Sequence, residues 1–325
     1  MLSEMTMDQL RAYSGSSDEP EDFDAFWTES VGEARQAAVH GPLPEPKAQA
    51  EPTALATVDV YDFAFPGYGG EPIRAWLRIP RGLRAQAPAV VEFPGYGGGR
   101  GYPFQSLLWA SAGYVHLHMD ARGQGSEWGL GVTPDTGASG PAASGFMTRG
   151  IEDPRDYYFR RLAVDAVRAV DAVTTLPMVD PGRIGALGGS QGGGLALAAA
   201  ALNPSVRAVA ARVPFPCDFR RGVDLAEERP FTEIARYLSI HRRDEERTWR
   251  TLSYVDGVNF ARRSRVPGLF SVGLRDTSVP PSTVYAAHNA YPGPKWLAVW
   301  PHNAHEAGGP EDDIAALEFF AANLG

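Results

Sequence analysis

Between residues 188 and 194 the chain reads GGSQGGG, a single serine set among glycines directly after the apolar run Ile184-Gly185-Ala186-Leu187. Gly188 to Gly192 fits G-x-S-x-G, and a strand before it with an Ala-rich helix after it would make the setting of a nucleophile elbow. Such a sharp turn needs flanking residues that lack a Cβ. It presents the Ser190 hydroxyl beside a helix N-terminus, whose dipole favours developing negative charge. A merely flexible Gly-rich turn has the same spelling, so the reading depends on partners.

A serine hydroxyl is a poor nucleophile at neutral pH and needs a base, which in turn needs an orienting acid, in the chain order Ser, Asp or Glu, His. Asp276 follows the apolar run GLFSVGL, and His305 follows WLAVW within WPHNAHEAGG, so two late strands would deliver both to the edge that carries Ser190. His302 is the nearest rival base. Asp244 and Asp256 are alternative acids, but both fall in a charged helical region where solvation or ion pairing is the expected role. His116 and His118 alternate on one face of a β run and could ligate a metal. No third ligand follows at a matching spacing, and HEAGG lacks the second histidine of a zinc-binding helix, so neither metal nor cofactor is expected.

Acyl transfer through a serine also needs donors for the oxyanion. The amide of Gln191 supplies one, directly after the nucleophile. VVEFPGYGGG, a β run that ends in a Gly-rich loop, places Tyr96 where its amide could supply the second.

These residues need a scaffold. TVDVYDFAF and IRAWLRI, separated by PGYGGEP, read as an antiparallel hairpin. Short β-rich runs then alternate with helical stretches over 161–175, 193–202, 282–290 and 311–323, which implies βαβ crossovers and a mainly parallel, doubly wound α/β sheet. Residues 1–50 read as an N-terminal arm in which Phe23, Phe26, Trp27, Val31 and Ala34 recur at helical spacing before the Pro-rich HGPLPEPKAQAEP. Residues 214–265 read as a helical cap over the sheet's carboxyl edge. Residues 128–150 form a long Gly/Ser/Pro-rich loop. Trp109, Trp128 and Phe215 could line a pocket, although such aromatics more often serve the core.

The whole chain reads as one domain: 325 residues, 44% of them hydrophobic, suffice for a large core. With 30 basic and 39 acidic residues the formal charge of −9 disfavours nucleic acid and anionic membranes as partners. The lone Cys217 cannot form an intramolecular disulfide, and the acidic start of the N-terminus does not match an export signal, so a cytoplasmic location is expected.

EFPGYGGGRGYP, MDARGQGSEW, GFMTRGIEDPRDYYFRRLAVDAVRAV, GGSQGGGLALA, WRTLSYVDGVNF, FSVGLRDTSVPPSTVYAAHN and HNAHEAGG together resemble the acetyl xylan esterase and cephalosporin C deacetylase family, carbohydrate esterase family seven. The resemblance spans nearly the whole chain and includes the family's three ordered signatures: Arg122-Gly123-Gln124, GxSQG at Gly188 to Gly192, and His305-Glu306. It implies an α/β-hydrolase that removes acetyl groups from sugars and from the antibiotic side chain, without a cofactor. The implied triad is Ser190, Asp276 and His305, with the Tyr96 and Gln191 amides as oxyanion hole. It also implies a homo-hexamer, for which the 128–150 loop is a candidate contact. Arg122 is expected to brace loops at the site through bidentate hydrogen bonds. One departure is that Pro94 stands where many members carry histidine. A general short-chain carboxylesterase and a non-catalytic binding protein on the same fold are the alternatives.

Overall fold

A computed structural model describes residues 4–325; the first three residues of the expected arm lie outside the described residues. The chain opens with α1 (Met7–Ala12) and α2 (Phe23–His40), followed by β1 (Lys47–Glu51), β2 (Val58–Pro66), β3 (Pro72–Pro80), β4 (Ala87–Phe93), α3 (Leu108–Ser111) and β5 (Val115–Met119). Next come α4 (Tyr158–Thr174), β6 (Val179–Gly189), α5 (Gln191–Leu202) and β7 (Val206–Arg212). Four helices, α6 (Phe219–Leu225), α7 (Phe231–Ile240), α8 (Glu245–Ser253) and α9 (Gly257–Ala261), precede β8 (Gly268–Gly273), α10 (Pro281–Ala290), β9 (Lys295–Trp300) and α11 (Pro310–Leu324).

The strands form one nine-stranded sheet in the order β1-β2-β3-β5-β4-β6-β7-β8-β9. The first three are antiparallel, β3 joins β5 antiparallel, and every pairing from β5 to β9 is parallel. This is the doubly wound α/β-hydrolase architecture expected from the alternation of β runs and helices. The parallel strands carry near-continuous apolar runs because helices cover both faces; Val90, Val91, Leu117, Ala186, Val209 and Phe270 are fully buried. The expected hairpin is present, with Val58 opposite Pro80 and Pro66 opposite Pro72.

The chain order reverses at β4, whose sequence successor β5 lies on one side while β6 lies on the other. A crevice opens beyond the carboxyl ends of strands at such a switch point. Ser190 follows β6 there, and Tyr96 follows β4 three residues after the strand ends.

The helices occupy the expected stretches and begin up to three residues earlier. One strand falls in the Pro-rich segment at the end of the arm, where none was expected. KAQAE contains no large apolar residue, yet it pairs with β2 through its backbone as an edge strand, from Lys47 opposite Ala64 to Glu51 opposite Val60. The arm packs on the body through α2: Phe23, Phe26 and Trp27 are buried, and Trp27 Nε1 donates to the Tyr254 carbonyl at 2.8 Å. The segment between β7 and β8 is helical throughout its α6 to α9 elements, and its residues 227–230 and 232 wall the crevice that Ser190 lines.

Candidate active site

Ser190 sits at φ 55°, ψ −123°, a left-handed conformation that L side chains rarely adopt. The turn is over-determined by its backbone. Ser190 N donates to Arg212 O at 3.0 Å, while Ser190 O accepts from Phe215 N at 2.9 Å and Gly194 N at 3.2 Å. A Cβ on Gly192 would overlap the Phe93 carbonyl, and one on Gly188 would overlap the Gly192 backbone. Strand and helix meet this closely only because both positions are glycine. Gly189, by contrast, has open space where a Cβ would stand, so the steric demand of the motif falls on its two outer glycines.

His305 Nδ1 lies 2.7 Å from Asp276 Oδ2. The other carboxylate oxygen of Asp276 accepts from Ser278 N at 2.9 Å and Val279 N at 2.8 Å, which fixes the plane of a fully buried side chain. Burial opposes charge on the imidazole, but the Asp276 hydrogen bond and charge, with the charges of Glu228 and Glu306, outweigh it and raise His305 above the ordinary histidine value. His305 and Ser190 line one cavity of about 570 Å³. Among the described residues the Ser190 hydroxyl has no hydrogen-bond partner. Catalytic hydrogen bonds of this kind often tighten only when substrate is bound.

Of the remaining candidates, His302 is exposed in a turn and, among the described residues, pairs with no carboxylate. Asp244 takes the expected ion-paired role, 3.1 Å from Arg247. The reading of Asp256 requires correction, because it is neither solvated nor ion-paired. It is buried at the start of α9, accepting from Asp218 N, Val258 N and Phe219 N, and burial beside Asp218 pushes its carboxyl up to about 6. A helix cap and a loop clamp, satisfied by backbone donors, have displaced the salt bridge that its charged surroundings suggested. His116 and His118 stack at 6.1 Å on one face of β5, as the alternation implies, with His116 Nε2 2.9 Å from Glu92. Among the described residues no three histidine, cysteine or acidic side chains converge as a metal site would.

Gln191 is the first residue of α5, where an amide has no intrahelical acceptor. Tyr96 N likewise has no protein acceptor among the described residues. Two fully buried glutamines hold the loop that carries it. Gln124 Nε2 donates to Gln191 Oε1 at 2.8 Å, and Gln124 Oε1 accepts from Gly97 N at 2.7 Å. Gln191 Nε2 reaches the Pro94 carbonyl at 3.2 Å, so this position contributes through its backbone despite lacking a side-chain donor. The Arg122-Gly123-Gln124 triplet thus meets the site through Gln124. Arg122 itself braces from behind: it grips Asp165 of α4 in a bidentate pair at 2.5 and 2.8 Å and Glu71 at 2.8 Å, and the Asp165 carboxylate keeps the buried guanidinium charged. Gly123, at φ 70°, ties the triplet to the long loop through Thr133 O and Ala142 N.

Of the three pocket aromatics, only Trp128 lines the cavity. Its indole is 65% exposed and lies over the Gly95 to Gly98 loop, with Nε1 donating to Tyr96 O at 2.6 Å. Trp109 is core, packed edge-on to Phe320 at 5.4 Å. Phe215 is core as well, 4.7 Å from Phe231 behind Tyr96. Much of the remaining wall comes from Glu127 and from the cap residues Glu227, Glu228, Arg229, Pro230 and Thr232, which the sequence did not single out. Arg229 pairs with Glu127 at 3.1 Å across the rim, and Glu228 accepts from Ser278 Oγ at 2.9 Å, tying the cap to the loop that carries Asp276. No helix among the described residues is long and apolar enough to cross a membrane.

Residues 1–322 match the Acetyl xylan esterase (AXE1) family. The acetyl xylan esterase from Paenibacillus sp. R4 is 38% identical, covering 98% of this chain and 100% of its own, with a TM-score of 0.89. Acetyl xylan esterase 1 from Thermoanaerobacterium sp. JW/SL YS485 is 33% identical, covering 98% and 99%, with a TM-score of 0.87. Acetyl esterase Axe7A of Xylanibacter ruminicola is 29% identical over 88% of this chain, and the match spans 63% of that longer protein.

Proposed function

The chain belongs to the acetyl xylan esterase family, and from that premise we propose that it is a serine esterase that removes acetyl groups from acetylated xylo-oligosaccharides and other small acetyl esters. The observation that carries this reading is the His305–Asp276 hydrogen bond beside Ser190 in one cavity. His305 Nε2 takes the Ser190 proton as Oγ attacks the ester carbonyl, and Asp276 holds the imidazole tautomer and stabilises the imidazolium. The Tyr96 and Gln191 amides receive the oxyanion. Collapse breaks the bond to the sugar oxygen, which leaves with the proton from His305. Water then repeats the two steps on the acetyl-enzyme, releasing acetate and restoring Ser190.

Three glutamates and one arginine on the cavity wall suit a neutral, hydroxyl-rich alcohol, whose hydroxyls donate to carboxylates. Cephalosporin C type esters belong to the proposed substrate range, but their carboxylates meet this acidic wall, so neutral acetylated sugars are the better substrates. The proposed location is the cytoplasm, consistent with the single cysteine, Cys217, being buried and free. The proposed assembly is a homo-hexamer. The exposed Tyr102, Phe104, Leu108, Trp128, Leu130 and Val132, on two segments joined by Gly101 N to Leu130 O, offer apolar surface for it.

The acyl chain tests the reading. A site built around a methyl group meets each added methylene with a clash of about 1 to 3 kcal/mol, roughly tenfold or more in kcat/KM. The p-nitrophenyl acetate ester is therefore expected to exceed the butyrate, two methylenes longer, by about 100-fold, and the octanoate by more, while acetylated sugars of different size are all accepted. Octanoate cleaved as well as acetate would make the chain a general carboxylesterase, and no turnover of any ester would make it a binding protein.

The pH profile tests the base. Activity needs the neutral imidazole, so kcat/KM falls as pH drops through the His305 value. Because Asp276, Glu228 and Glu306 raise that value, the midpoint of the acid limb is expected above the ordinary histidine value. Rates measured from about pH 5 to about pH 9 locate it. A profile flat down to about pH 5 would point to a carboxylate base.

A further inference from the structure

Tyr96 is held by its own side chain from outside its loop. Its hydroxyl donates to the carboxylate of Glu233, lying 2.9 Å from each oxygen, and accepts from Phe146 N at 2.9 Å and Gly145 N at 3.2 Å. Glu233 belongs to α7 of the cap, 137 residues further along the chain. The same carboxylate accepts from Met147 N at 3.3 Å, so one acidic group ties the cap, the end of the 128–150 loop and the loop after β4 into a single knot. Burial and the Glu233 charge keep the phenol protonated and therefore a donor. The Tyr96 ring is wedged edge-on between Phe146, at 5.9 Å, and Phe215, at 6.5 Å. With its carbonyl held by Trp128 Nε1, the amide is the one polar group of Tyr96 without a protein partner among the described residues.

That amide lies in a loop with no ladder or helix to orient it; the peptide plane between Gly95 and Tyr96 is fixed on the Gly95 side by Gly98 N, which donates to Gly95 O at 3.1 Å, and on the other side by what anchors Tyr96. We propose that Glu233 is a positioning residue for the oxyanion hole: by fixing the Tyr96 hydroxyl it aims the Tyr96 N–H, and so couples the placement of the cap to the rate of acyl transfer. The proposal rests on the reading above that this amide receives the oxyanion. A donor displaced by about 1 Å costs up to about 100-fold, whereas binding of the ground-state ester, which carries no oxyanion, is little affected.

The test compares Glu233→Ala, Glu233→Gln, Tyr96→Phe, the Tyr96→Phe/Glu233→Ala double variant and Ser190→Ala on p-nitrophenyl acetate. Folding of each is checked by circular dichroism and thermal melting. Glu233→Ala is expected to lower kcat about 10- to 100-fold with KM within about twofold. A trifluoromethyl ketone reports the same loss directly. The Ser190 oxygen bonds to its carbonyl carbon, the serine proton passes to His305, and the former carbonyl oxygen becomes the oxyanion. Its inhibition constant should rise by the same factor as kcat falls. Tyr96→Phe keeps the amide and removes only the hydroxyl, so it should match Glu233→Ala, and the double variant should be no worse than either single one. Glu233→Gln retains an acceptor for the phenol and should recover kcat to within about threefold. Unchanged kcat in Glu233→Ala, a loss confined to KM, or single effects that multiply in the double variant would overturn the proposal. Full activity of Ser190→Ala would instead overturn the serine mechanism beneath it. If Glu233→Ala does not fold, Tyr96→Phe against Glu233→Gln decides by the same kcat and inhibitor readouts.

Discussion

Ser190→Ala is expected to lower kcat for acetyl ester hydrolysis by about 10⁶-fold, the scale of loss when the nucleophile of such a triad is removed. The fold should survive, because what holds the elbow is backbone: the bonds from Ser190 to Arg212, Phe215 and Gly194 are independent of the side chain, and the hydroxyl has no partner to lose. Alanine also tolerates the left-handed conformation no worse than serine. Steady-state rates on p-nitrophenyl acetate, with mass spectrometry after treatment with a serine-directed phosphonate, check the outcome. Substantial residual turnover, together with an unlabelled Ser190 peptide in the unsubstituted protein, would show that another group attacks the ester.

Asp276→Asn is expected to cost about 10⁴-fold in kcat with little change in KM. The size follows from how the carboxylate is held. Ser278 N and Val279 N both donate to one oxygen of Asp276, and only the other faces His305 Nδ1. Asparagine must keep its carbonyl oxygen on the two backbone donors, which turns its NH₂ toward the imidazole. Nδ1 then becomes an acceptor and the ring proton moves to Nε2, so the nitrogen meant to take the serine proton already carries one. A loss below about tenfold in a folded Asp276→Asn protein would mean that the tautomer is not controlled from this residue. The nitrogen-15 shifts of the His305 ring in the two proteins would report the tautomer itself.

The placement of Ser190, Asp276 and His305 at one sheet edge was legible in the sequence for a physical reason. Each lies just beyond an apolar β run, and parallel strands deliver such positions to one edge regardless of their separation along the chain. Gln191 and Tyr96 followed from their places relative to those runs. Glu233 was not legible, since nothing in FTEIARYLSI separates an inward glutamate on a short cap helix from a solvated one, and its partner Tyr96 is 137 residues away. The cap's wall residues, Glu227 to Pro230, were hidden similarly, in a turn between two helices whose placement depends on packing rather than on pattern. Asp256 misled because local charge density suggested ion pairing, whereas its own helix α9 supplied one backbone donor and the start of α6, distant in sequence, supplied two more. β1 was missed since an edge strand held through its backbone needs no apolar pattern.

The left-handed serine has a consequence for any attempt to harden this protein against heat. A non-glycine residue in such a conformation costs about 1 to 3 kcal/mol, while glycine's extra freedom in the unfolded chain costs only about 0.4 to 1 kcal/mol. Glycine at position 190 would therefore be among the more stabilising single exchanges open to the chain, and it would remove the proposed nucleophile. Directed evolution scored on thermal half-life alone would find that exchange and settle on an inert protein, so a screen for durable variants has to read turnover in the same well.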